Sequence, residues 1–199
     1  MSDKKKIRSM PSALQQAAFA ELEFSSDSLT LRELAGCAIV RAHGFGDTKR
    51  AELPEKTGDA SGTDTVILCI RPGEWLFISE VVGAQDLLKR AHAEIQDQNC
   101  IVDNMSDGFA VFRLQGNGSP WLLCKLSGLD FLAGRAAGQH CARTKLGQVA
   151  VVIHYHQAEN KAFVFDLLVD RSYARYLWEL LAASAPHADE LALTFGAAA

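Results

Sequence analysis

The chain alternates between sharply apolar runs and polar, glycine-punctuated stretches, and most of the runs have the length of strands. TVILCI at 65–70 and EWLFIS at 74–79 are β-branched and aromatic, and Arg71, Pro72 and Gly73 between them supply turn chemistry, which predicts a hairpin. Each run is apolar on both faces, so the hairpin is expected to be buried on both sides. Residues 83–98 follow a helical period instead. Ala84, Leu87, Leu88, Ala91 and Ile95 fall within an arc of about 100°, and Asp86, Lys89, Arg90, His92, Glu94 and Gln96 take the remainder.

The segment IVDNMSDGFAVFRLQG predicts a short strand, a turn at Ser106, Asp107 and Gly108, and a longer strand over 109–114. Ser119 as a cap and Pro120 at the first helical position predict a short helix to residue 126, stopped by Gly128. Residues 141–145 and 148–156 read as strands, 162–169 pairs with the second across a polar loop at 157–161, and a last helix is expected over 171–183. A strand is also expected at 37–42, whereas 29–34 carries mixed signals and 44–65, rich in Gly, Asp, Thr and Lys, reads as a loop. A buried hairpin followed by a helix thus occurs twice. This order implies the α+β class, with antiparallel or mixed sheets and helices on one side. The expected organisation is a polar N-terminal arm at 1–28, a domain at 29–186 divisible into halves at about 29–104 and 105–186, and a C-terminal tail at 187–199.

The last helix is the most informative element. Tyr173, Ala174, Tyr176, Leu177, Trp178, Leu180 and Leu181 spread over an arc of about 200°, twice what one sheet face covers. The excess must meet another part of this chain or another chain, and Trp and Tyr are residues that interfaces favour. Tyr173, Tyr176 and Trp178 are therefore the candidate interface residues.

Composition narrows the classes. The 199 residues are 48% hydrophobic and 22% charged, and a chain of this length buries about 70% of its unfolded surface without needing disulfides or metal. A net charge of −4 argues against nucleic acid as partner, and the cluster Lys4, Lys5, Lys6 and Arg8 reads as a solvated tail. With no signal-like or membrane-length apolar run, a cytoplasmic protein without membrane contact is expected. The five cysteines, Cys37, Cys69, Cys100, Cys124 and Cys141, form no CxxC pair and read as reduced thiols. Cys141 follows His140, but neighbours on a strand point to opposite faces, which speaks against a nucleophile and base.

Three features could carry chemistry. GNGSP at 116–120 lacks the spacing and lysine of a phosphate loop and reads as a turn into a helix. His154 and His156, two apart on a strand, place both imidazoles on one face and would suit a metal ion if a third ligand came from elsewhere; the plain expectation is that they face solvent, alternating with inward Ile153 and Tyr155, and that no metal is bound. Asp130, between Leu129 and Phe131, could act as a base or receive an amine, although turn-making is the commoner role of such an Asp.

Taken in order, IRPGEWLFIS, DNMSDGFAVFRLQG, LLCKLSGLDF, TKLGQVAVVIHYH and FDLLVDRSYARYLWELL resemble the gamma subunit of heterotetrameric sarcosine oxidase over about residues 65–183. The resemblance implies a non-catalytic, structural subunit of a complex that demethylates sarcosine, or another N-methyl amino acid in a related dehydrogenase. The one-carbon unit would leave as formaldehyde or pass to tetrahydrofolate. It implies alpha, beta and delta partner subunits that carry FAD, FMN, NAD and tetrahydrofolate, and no cofactor in this chain. The gamma chain in turn resembles the folate-binding domain of the glycine-cleavage aminomethyltransferase, in which a carboxylate after the helix matching residues 121–126 serves folate chemistry. Asp130 stands at that place, giving the alternative of a free-standing folate or one-carbon binding module. The family's Tyr-Thr-Gly stretch is replaced here by His156, Gln157, Ala158, Glu159 and Asn160, which puts a pterin pocket in doubt.

Overall fold

The computed structural model describes residues 23–44, 53–95, 99–132, 140–158 and 162–195. The basic cluster at Lys4 to Arg8, most of the expected arm and part of the 44–65 loop lie outside them, as do Glu159 and Asn160. In chain order the elements are β1 (Glu23–Ser25), β2 (Thr30–Glu33), β3 (Ala38–Gly44), β4 (Ala60–Ser61), β5 (Val66–Arg71), β6 (Glu74–Ser79), α1 (Ala84–Glu94), β7 (Cys100–Asn104), β8 (Phe109–Gln115), α2 (Ser119–Leu126), β9 (His140–Leu146), β10 (Val149–Gln157), β11 (Phe163–Asp170) and α3 (Ala174–Phe195), with a 3₁₀ turn at Arg171–Tyr173 leading into α3.

The strands form two antiparallel sheets: six strands in the order β1-β2-β8-β11-β10-β9, and five in the order β4-β5-β6-β3-β7. Both predicted hairpin-helix units are present, β5-β6-α1 and β10-β11-α3. The first hairpin closes through Pro72 and Gly73, whose φ of 79° only glycine adopts without strain, and an Arg71–Glu74 ion pair of 2.5 Å spans the turn.

The period-2 alternation of the strands sorts their side chains into three cores. Val151, Ile153, Phe165, Leu167, Phe112 and Leu114 point from the six-stranded sheet towards α2 and α3. Trp75, Phe77, Val40 and Cys69 point from the five-stranded sheet towards Leu87 and Ala91 of α1. Between the sheets, Ile39, Leu68, Ile70, Leu76 and Ile78 meet Val111, Cys141, Val152 and Leu168. Each sheet thus carries helices on one face and turns its other face to the other sheet, a four-layer α-β-β-α stack in the α+β class. The layers explain why the hairpin runs are apolar on both faces. Along one edge the sheets are stitched together: the Cys141 N–H donates to the Gly58 carbonyl at 2.7 Å, and the Gly58 N–H donates to Cys69 at 3.0 Å.

Several helix ends differ from the sequence expectation. The first helix, expected to residue 98, ends at Glu94 with Ile95 as its cap, and residues 96–98 lie outside the described residues. Gly118, not Ser119, caps α2, and the Ser119 hydroxyl is buried inside the first turn with no hydrogen-bond partner among the described residues. The last helix continues through Pro186 to Phe195, so residues 187–195 of the expected tail are helical. Pro186 is exposed, where its ring and the missing N–H disturb only the solvent side. Asp189 beyond it accepts a hydrogen bond from the Ser26 hydroxyl at 2.7 Å and another from Ser28, tying this stretch to the turn between β1 and β2. Among the described residues no helix is long and apolar enough to cross a membrane.

Candidate functional site

A cavity of about 480 Å³ opens between the two sheets. Its floor is the inner face of the six-stranded sheet, where cross-strand register lines up Arg113 of β8, Asp166 of β11 and His154 of β10 in a single row. His156, two residues beyond His154, shares that face. The opposite wall comes from Val66, Ile78 and Ser79, with Asp64 and Glu80 at the rim.

The row is held by charge-assisted hydrogen bonds. Arg113 donates from Nε to Asp166 Oδ1 at 2.7 Å and from Nη2 to Oδ2 at 2.8 Å, a bidentate fork, and also reaches Glu80 Oε1 at 2.7 Å. His154 Nδ1 stands 3.5 Å from Asp166 Oδ2, at the outer limit of a hydrogen bond, and the His154 and His156 rings lie 4.8 Å apart at 49°. Asp166 is 7% and His154 2% exposed. Burial alone would push the Asp166 carboxyl up, but hydrogen bonds from His154 and Arg113 and the Arg113 charge overcome it and hold the group at about 2. Burial also works against the Arg113 charge, and the hydrogen bonds and charges of Asp166 and Glu80 more than restore it. Burial, followed by the adjacent His154, lowers His156 from its ordinary value, with Asp166 opposing. Cys37, on the same cavity, is pushed up to about 12 by burial and by Glu80 and Asp166.

The expectation that His154 and His156 face solvent is corrected. The alternation with Ile153 and Tyr155 is as read, but the face opposite those residues is covered by the second sheet, so His154 is buried and His156 half-buried. The third ligating group that the sequence left unassigned is Asp166: one donor atom from each of His154, His156 and Asp166 lies within 4.8 Å of the others. Two imidazoles and a carboxylate are the ligands of an open zinc-type site.

The other sequence candidates lie elsewhere. Trp178 is 6% exposed and packs its ring 5.7 Å from that of Phe112 within this chain's own core. Tyr173, at the end of the 3₁₀ turn, and Tyr176, three residues on in α3, are 52% and 41% exposed. Asp130 is exposed past the end of α2, where Oδ1 accepts from the Leu132 N–H at 2.8 Å in an Asx turn and from the Cys124 thiol at 3.8 Å. His140 stacks on Tyr155 on the helix side of the sheet, whereas Cys141 points between the sheets, so the two do not meet.

Arg113, Glu80 and Asp166 were not singled out from sequence. The available signal was a charge inside a doubly apolar strand, AVFRLQ for Arg113 and FVFDLLV for Asp166, since such a charge needs a buried partner.

The double-sheet α+β architecture places this chain among known folds. No family model matches the sequence, and no curated protein matches it. Among solved structures, the chain is similar to a chain of the heterotetrameric sarcosine oxidase from Corynebacterium sp. U-96 in complex with pyrrole 2-carboxylate. The TM-score is 0.71 at 20% identity, covering 86% of this chain and 91% of that one. It is also similar to the glycine cleavage system aminomethyltransferase T from Bartonella henselae, with a TM-score of 0.55 at 12% identity, covering 77% of this chain but 45% of that one. At these identities the likeness is one of fold, and it is to the two proteins that the sequence resembles.

Proposed function

We propose that this chain is the small, non-catalytic gamma-type subunit of a sarcosine-oxidase-type complex, with an assembly role, in which partner subunits carry the flavins, NAD and tetrahydrofolate. The observation that carries this reading is the reach of the fold match. It takes in 91% of a chain belonging to a heterotetrameric oxidase, but 45% of the aminomethyltransferase, which supports a subunit of the first kind over a relative of the second. Tyr173 and Tyr176 add support, because two exposed aromatics one turn apart suit a partner's surface.

Co-expression with its natural neighbours tests the reading. The tagged chain should bring down larger, yellow, flavin-bearing chains, and a chain recovered alone and colourless from that co-expression overturns it. The likeness to aminomethyltransferase keeps a folate carrier in view. Tetrahydrofolate binding by the isolated chain that is lost in Asp130→Asn would favour the carrier over the subunit.

A further inference from the structure

Three side chains that the assembly role does not use converge on the floor of the inter-sheet cavity. We propose that His154, His156 and Asp166 form a site for one divalent ion of the zinc type, with the cavity supplying a water as fourth ligand. This goes beyond the subunit reading, and neither depends on the other.

The geometry is a product of the sheet. His154 and His156 share a face because they are two apart on β10, and Asp166 joins them because it is the direct cross-strand partner of His154 on β11. Tetrahedral ligands about 2.0–2.1 Å from a metal stand roughly 3.4 Å from one another. Donor atoms within 4.8 Å therefore have little over an ångström to close, and the half-buried His156 faces open cavity into which its ring can turn.

The charges favour a cation. Asp64, Glu80 and Asp166 line the cavity against the single guanidinium of Arg113. The Arg113 fork does not exhaust Asp166, because a carboxylate has about four lone-pair sites, of which the fork occupies two and the contact with His154 one. Arg113 would then fix the orientation of a ligand carboxylate from outside the metal's own sphere.

The test uses the full chain without a histidine tag, freed of metal by a chelator and titrated with Co²⁺ as a spectroscopic stand-in. One equivalent should bind with the visible absorption of a four-coordinate ion and be displaced by Zn²⁺. In His156→Asn the affinity should fall by more than about 100-fold, the upper range for losing even an indirect support of a metal site. His92→Asn, on an exposed helix position, should not change it. The unsubstituted chain carries the same test if the variant does not fold: Zn²⁺ must shift the ring resonances of His154 and His156 and leave those of His92 and His187 unmoved. Absence of one-to-one binding, a thiolate-to-cobalt band assigning the ion to cysteine, or shifts confined to other histidines overturns the proposal.

Discussion

Replacing Tyr173, Tyr176 and Trp178, at the start of the last helix and in the turn before it, one at a time separates what the core uses from what it leaves for a partner. Trp178 is 6% exposed and packed against Phe112, so its truncation removes nearly a whole indole from the core. A buried Trp covers about 150–250 Å², which at about 25 cal/mol per Å² is about 4–6 kcal/mol of transfer free energy. Measured Trp→Ala changes in cores cost about 3–5 kcal/mol because the surroundings partly relax. At about 2–4 °C per kcal/mol for a chain of this size, Trp178→Ala should lower Tm by roughly 6–20 °C. Tyr173→Ser and Tyr176→Ser act on side chains that are half exposed and should each change stability by no more than about 0.5 kcal/mol. If these tyrosines are anchors for a partner, the double variant should lose at least about 2 kcal/mol of association, about 30-fold in Kd. Thermal melts of the isolated chain and co-purification with the neighbouring subunits read the two effects separately. Tyrosine substitutions that lower Tm as far as Trp178→Ala does, or a double variant that co-purifies undiminished at limiting concentration, would refute the division.

Arg113→Ala leaves Asp166 buried without its fork and should destabilise by about 3–5 kcal/mol, measured by urea unfolding. Burial pushes the thiols of both Cys37 and Cys141 up to about 12, from an ordinary value of 9.0. The unfolded chain therefore releases these protons first. The stability they contribute is complete below pH 9 and is lost as pH rises towards 12, at about 1.4 kcal/mol per pH unit per thiol. The double variant Cys37→Ala, Cys141→Ala should flatten that alkaline decline in urea midpoints between pH 9 and 10. Pro186→Ala should stabilise the chain by up to about 3 kcal/mol, since an exposed proline inside a helix gives up a hydrogen bond without a packing gain; circular dichroism through a urea series decides it.

Much of the fold was legible because its signals are local. TVILCI and EWLFIS announced strands covered on both faces, and the 83–98 stripe announced a helix packed along one side. The short strands β1, β2 and β4 are two to four residues long and offer too few positions for a period to register. The far half of α3 was missed because Ala-rich sequence around Pro186 has little contrast between faces, and its packing uses the small side chains of Ala185 and Ala188. At the cavity the sequence placed His154 and His156 on one face correctly, yet assigned that face to water, because an alternating strand does not reveal whether a second sheet lies over its polar side. The Arg113–Asp166 pair was out of reach for a related reason: its members are 53 residues apart and meet only through strand register.

The sheet topology also fixes an order of assembly. The five-stranded sheet is built wholly from residues 38–104, whereas the six-stranded sheet joins β1 and β2 to strands that begin at Phe109. During synthesis the five-stranded sheet can be complete while β1 and β2 are still a lone two-stranded ribbon, too small to hold together in water. They gain a lasting neighbour only when β8 arrives and the Ser26 and Ser28 hydroxyls find Asp189 near the far end of α3. Closure of the six-stranded sheet is thus the long-loop, late event of folding, and until it happens β1 and β2 present an open edge to whatever protein is nearby.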